Sequence, residues 1–143
     1  MTQEEKELLI KDLCARLPYS VQIHISYEDG FKYDKTLTYE DIKNYSQLPA
    51  CTTTMVKPYL RPMSSMTEEE FTKLKEYSGL IYDQLDLTSF QNGAYKCLDF
   101  YLNEVPSGAV IRVFDWLNKY HFDYRDLIQM HLALEAKEGM YNN

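Results

Sequence analysis

The stretch Val21-Gln22-Ile23-His24-Ile25-Ser26-Tyr27-Glu28-Asp29-Gly30-Phe31-Lys32-Tyr33-Asp34-Lys35-Thr36-Leu37-Thr38-Tyr39 decides the fold. Val21, Ile23, Ile25 and Tyr27 alternate with Gln22, His24, Ser26 and Glu28, the two-residue period of a strand with one buried face. Phe31, Tyr33, Leu37 and Tyr39 continue the pattern beyond Asp29-Gly30. A two-residue Asp-Gly loop would set Tyr27 opposite Lys32 and mix the faces. A three-residue loop, Glu28-Asp29-Gly30, sets Tyr27 opposite Phe31, Ile25 opposite Tyr33 and Val21 opposite Leu37. It also puts Gly30 at the left-handed position such a loop requires. The sequence therefore predicts a β-hairpin with His24 across from Asp34 on its polar face.

Working outward, Thr2-Gln3-Glu4-Glu5 is a capping box. Leu9, Leu13 and Leu17, joined by Ile10 and Cys14, give an apolar stripe that predicts a helix over about residues 3–16, stopped by Pro18. Glu5, Lys6, Lys11 and Asp12 are expected to face water. Thr38 and Asp41 predict a short helix to about Tyr45. Pro49, Pro58 and Pro62 mark an irregular or edge stretch, with a short strand at 52–56. Thr67 and Glu70 form a second capping box, with Met66 and Phe71 placed to staple, so a helix starts there and is expected to run through Gly79 to about Asp83. Asn92-Gly93 predicts a second hairpin pairing Phe90 with Tyr95, Leu87 with Leu98 and Leu85 with Phe100, although Asp86 then faces Asp99; a helical alternative for 95–102 stays open. Ser107 caps a helix with the stripe Val110, Val113, Leu117 and Tyr120. Asp123, with Phe122 and Leu127 as staple, predicts another helix after a corner at 121–123. Leu132–Ala136 is expected as a strand or docked segment, followed by a polar tail.

These elements predict an α+β protein: a small, mostly antiparallel sheet of two hairpins packed against a single layer of helices, as one domain over 1–143. Length agrees, since 143 residues is one domain's worth of chain. The composition, with Gly 5, Pro 5 and Cys 3, is not that of a disordered, collagen-like or disulfide-scaffold protein. Tyr 13 against Phe 6 and Trp 1 is the unusual entry, and tyrosine favours half-buried strands and interfaces.

The formal net charge of −7 is dispersed, and its longest acidic run, Glu68-Glu69-Glu70, belongs to a helix start. A surface of that sign repels phosphate, so neither direct nucleic-acid binding nor an anionic membrane surface is expected. Nothing at the N-terminus resembles a signal peptide and no run has the length of a membrane span. Cys14, Cys51 and Cys97 are odd in number and far apart, as in reduced cytoplasmic proteins, and Cys14 falls on the expected apolar face.

The segments Lys57-Pro58-Tyr59-Leu60-Arg61-Pro62-Met63-Ser64-Ser65-Met66-Thr67-Glu68-Glu69-Glu70 and Asp115-Trp116-Leu117-Asn118-Lys119-Tyr120-His121-Phe122-Asp123-Tyr124-Arg125-Asp126-Leu127-Ile128, with the ending Leu132-Ala133-Leu134-Glu135-Ala136, are distinctive. On them the chain resembles a family of small uncharacterised proteins from gut Bacteroidetes and their phages or prophages. The resemblance covers most of the chain, least well about 86–112. It implies a cytoplasmic protein of mobile-element context, and carries over no activity or site residue.

Catalytic signatures are sparse. His24, His121 and His131 lack the i, i+4 spacing of helical metal ligands, and His121-Phe122-Asp123 is a two-ligand fragment, so no metal site is expected. No G-x-x-x-x-G-K-[ST], G-x-G-x-x-G or G-x-S-x-G occurs, so no cofactor or nucleotide site and no catalytic residue is assigned. The expected function is non-enzymatic: an interaction or regulatory protein whose partner is another protein, a second copy of the chain included. Tyr59 and Arg61, in the proline-bounded segment, and Trp116, Tyr120 and Tyr124, around the later corner, are the candidate partner-binding residues. The alternative for the same residues is that Trp116 and Tyr120 seal the core and Arg61 pairs with a glutamate. Two other functions compete: a small hydrolase or transferase centred on His24 or His121, and an acidic mimic of nucleic acid.

Overall fold

The computed structural model describes residues 1–80, 85–98 and 107–141. It has the α+β class that the patterning predicts, with helices and a four-stranded sheet in the order β2-β1-β3-β4. Contacts gather in two compact units, Met1–Leu60 with Arg125–Asn143, and Arg61–Tyr124.

The first unit contains the whole sheet. Helix α1 (Gln3–Arg16) opens on the Thr2/Glu5 capping box. Strands β1 (Gln22–Ser26) and β2 (Lys32–Thr36) form the hairpin in the expected register, Ile25 opposite Tyr33 and His24 opposite Asp34. The turn is closed by Gly30 N–H to the Tyr27 carbonyl (3.0 Å) and by Phe31 N–H to Asp29 Oδ1 (2.9 Å), with Gly30 at φ 88°. Helix α2 (Tyr39–Ser46) is capped by Thr38 and Asp41. Strand β3 (Met55–Leu60) pairs antiparallel with β1, and β4 (Leu134–Glu135) pairs parallel with β3.

Three expectations change in this unit. The strand at 52–56 lies later in the chain, at 55–60, and occupies an interior place in the sheet despite Pro58. Ile23 and Pro58 face each other at a pair that exchanges no ladder bond, so the missing N–H costs the β1–β3 ladder nothing. In α1 the buried side chains are Lys6, Leu9, Asp12, Leu13 and Arg16, whereas Cys14 is exposed. The face is turned because its polar groups find partners inside. Lys6 donates to the Leu48 carbonyl over the Tyr45 ring, and its burial lowers the ammonium's pKa. Arg16 binds Asp12 through Nε (2.7 Å) and Nη2 (3.1 Å), both side chains fully buried, and Arg125 reaches the same carboxylate at 3.2 Å. The core around them takes Leu9 and Leu13 from α1, Val21, Ile23 and Ile25 from β1, and Leu127, Leu132 and Ala133 from the returning segment.

At the end of the β1–β3 ladder a side chain replaces a backbone bond. The Tyr141 hydroxyl accepts from Gln22 N–H (2.9 Å) and donates to the Tyr59 carbonyl (2.7 Å). Burial pushes the Tyr141 phenol up to about 12, so it remains a donor at any physiological pH.

The second unit is built from helices among its described residues. Helix α3 (Glu68–Ser78) starts at the Thr67/Glu70 box and ends at Gly79, whose φ of 77° caps it, so the expected run to Asp83 stops short; residues 81–84 lie outside the described ones. Among the described residues the second hairpin does not form. Asp86 instead caps α4 (Leu87–Gln91) by accepting from Ser89 N–H (2.7 Å), and Gly93, at φ 101°, leads into a 3₁₀ turn over Ala94–Cys97. The left-handed glycine that suggested a hairpin joins two helical turns. The pairings with Asp99 and Phe100 fall outside the described residues. Helix α5 (Ser107–Lys119) follows. The helix expected from Asp123 does not form: His121, Asp126 and His131 all adopt positive φ, from 60° to 65°, which no α-helix tolerates. Phe122 makes a parallel bridge with Arg61. The core is aromatic, running Phe71–Phe90–Tyr95–Phe114–Tyr124 at centroid spacings of 5.1–6.3 Å.

Two substitutions test the packing of the first unit. Asp12→Ala leaves Arg16 and Arg125 without their shared carboxylate in a buried site, and urea unfolding is expected to show a loss of about 3–5 kcal/mol. Tyr141→Phe unpairs the Gln22 amide and the Tyr59 carbonyl at a milder cost of about 1–3 kcal/mol.

Candidate functional site

Strand alternation gives the hairpin two chemically different faces. On the polar face, His24 and Asp34 occupy a pair that exchanges no backbone bonds, because the ladder bonds fall at Tyr27/Phe31 and Val21/Leu37 and therefore at odd residues. Side chains approach most closely at such pairs, and His24 Nδ1 lies 2.7 Å from Asp34 Oδ1. The Tyr59 hydroxyl donates to the same oxygen (3.0 Å), and Lys137 Nζ donates to Oδ2 (3.2 Å) while lying over the Tyr59 ring. These donors, His24 first, hold the Asp34 carboxyl below the usual aspartate range, overcoming the opposing effect of burial. An ionised carboxylate only accepts, so Nδ1 of His24 carries the proton. Burial, then the Asp34 charge, raises the Tyr59 phenol, and the bond to Asp34 raises Lys137.

On the other face, Ile23 and Ile25 are buried but the residues around the turn are not. Tyr27, Phe31 and Tyr33 are 40%, 62% and 37% exposed. They stack on one another at centroid distances of 5.5–6.3 Å, and the Tyr27 and Tyr33 hydroxyls meet at 3.5 Å, a contact that raises the Tyr27 phenol. Beside Tyr27, a groove of about 210 Å³ opens between the sheet and α2, lined by Ile25, Val56 and Thr54 on one side and by Asp41, Asn44, Tyr45 and Leu48 on the other. That volume is below the range of ordinary small-molecule pockets and suits one large side chain.

The five candidate partner-binding residues divide between the units. Tyr59 is buried in β3 and tied to Asp34. Arg61 belongs to the second unit, where it grips Glu70 with two bonds (2.7 and 2.9 Å) over the Phe122 ring. Those bonds hold Glu70 below the usual carboxylate range against the effect of its burial. Trp116 is buried against Phe122 and Tyr120. The Tyr124 hydroxyl donates to Asn118 Oδ1 (2.9 Å) in the core, and Tyr120 is half-buried. His121 is buried, with its carbonyl accepting from Arg61 N–H (2.7 Å). Sequence reasoning missed Phe31 and Tyr33 as surface residues because periodicity gives a strand's apolar face, not how far the covering helices extend along it. It missed Lys137 and Tyr141 because nothing local marks a contact made across a hundred residues. Among the described residues no group of three or more His, Cys, Asp or Glu side chains is placed to hold a metal ion, and no helix is long and apolar enough to cross a membrane.

The Asp34 cluster has a pH signature. Its folded pKa is depressed, so its contribution to stability is present above the ordinary aspartate value, about 3.9, and is lost as pH falls through the lower folded value. A carboxyl NMR titration is expected to give Asp34 a midpoint below the ordinary aspartate value, and Asp34→Asn is expected to remove this part of the acid dependence. No family model, curated protein or solved structure matches the chain.

Proposed function

We propose that this is a non-enzymatic protein-binding module whose binding surface is the turn end of the hairpin with the groove beside α2. The observation that carries the assignment is the exposed stack of Tyr27, Phe31 and Tyr33. Three adjoining aromatics left in water forgo the stabilisation that burial would give them, and such patches mark interaction sites. The groove supplies a socket for one anchoring side chain of the partner, with Asp41 and Asn44 as polar rim. Tyr59 and Arg61 are engaged internally, so the surface is drawn at the hairpin rather than at the proline-bounded segment. The sequence resemblance supports a bacterial or phage mobile-element setting and a cytoplasmic partner.

A second reading is carried by the His24–Asp34 pair alone. A carboxylate that orients a histidine is half of a general-base arrangement, as a hydrolase or transferase would use. It predicts turnover of an ester or phosphoester that His24→Gln abolishes.

Affinity capture from a gut Bacteroidetes lysate tests the binding assignment. The wild-type chain is expected to retain a defined protein that the Tyr27→Ser/Phe31→Ser variant, folded by circular dichroism, does not. Retention of the same proteins by both, or of none by either, overturns it.

A further inference from the structure

We propose that the open edge of β2 pairs with the β2 edge of a second copy of this chain, antiparallel and centred on Tyr33. This rests on the hairpin end being a binding surface and names the occupant of its edge.

Among the described residues the sheet order leaves β2 with one neighbour, β1. Because the odd-numbered residues of β2 bond to β1, the amides and carbonyls of Lys32, Asp34 and Thr36 face away from the sheet. Such an edge is a template for another strand. A copy related by a twofold axis must set these even residues against one another, which leaves few registers. Centred on Asp34, the strand sets that carboxylate against its own copy. Centred on Lys35, it sets ammonium against ammonium. Centred on Tyr33, it sets Lys32 against Asp34 of the second copy, twice, at the pairs that exchange backbone bonds. Four new N–H to carbonyl bonds and two opposite-charge pairs then form together. On the other face Tyr33 meets its counterpart, and Phe31 lies opposite Lys35 of the second copy, ring against cation. Exposure agrees, as Lys32, Tyr33, Asp34 and Thr36 are all exposed.

Sedimentation velocity of the full chain over a wide concentration range tests the proposal. The wild type is expected to show a reversible dimer. Lys32→Asp turns both charge pairs repulsive and is expected to weaken it by at least about tenfold, and Asp34→Lys does the same from the other side. Mixing the two variants makes both pairs complementary again, so a heterodimer is expected to form where neither variant dimerises alone. Tyr33→Cys gives an independent reading. Paired residues at this kind of position have Cα atoms about 4.5 Å apart, within disulfide reach, so oxidation is expected to give a 33–33 link by peptide mass spectrometry. A monomer at every concentration, a dimer indifferent to Lys32→Asp, or no 33–33 link overturns the proposal. A foreign protein captured through Tyr27 and Phe31 by a chain that sediments as a monomer would leave the binding module standing and remove only the dimer. A dimer without capture would do the reverse.

Discussion

Asp12 sits fully buried between two arginines, and the first unit depends on that arrangement. A lone carboxylate in such a place would be driven to neutrality, and a lone guanidinium would be worse. Here Arg16 satisfies it along α1, and Arg125 approaches from a part of the chain more than a hundred residues away. The ion cluster therefore fixes where the returning segment enters the unit. From that point Leu127, Leu132 and Ala133 are delivered to the core, Leu134 and Glu135 to the edge of β3, Lys137 to Asp34, and the Tyr141 hydroxyl to the gap between β1 and β3. Charge, packing and backbone pairing all act on one short stretch.

The sheet so completed is asymmetric. On one side β4 pairs with β3, and across the polar face the Asp34 cluster ties β2 and β1 to β3. On the other side, among the described residues, β2 pairs only with β1 and the aromatic turn beside it is exposed. Tyr27, Phe31 and Tyr33 gather three exposed aromatic rings at that turn.

How much of this is legible in the sequence depends on the range of the interaction. The hairpin register, the three capping boxes and the left-handed Gly30 follow from contacts a few residues apart, and local chemistry specifies them. Gly93 shows the limit: its positive φ is real, but Asp86 uses its carboxylate as a helix cap, and a turn signal then joins helices instead of strands. The buried Asp12 and Lys6 were unreadable for a different reason. An amphipathic pattern sorts residues by polarity, and these are polar side chains whose partners, Arg125 and the Leu48 carbonyl, come from elsewhere in the chain. The candidate surface was missed likewise, since alternation cannot distinguish a ring that is covered from one that overhangs its cover.

The place of Tyr141 in the ladder also orders events during synthesis. A ribosome releases the chain from its amino end, and the described core residues of the second unit all lie within 61–124. The sheet does not: its interior strand stays unpaired on one side until Leu134 and Glu135 have been made, and Gln22 and the Tyr59 carbonyl wait unbridged until Tyr141 follows. The strands before residue 61 are thus translated ahead of the second unit and closed after it.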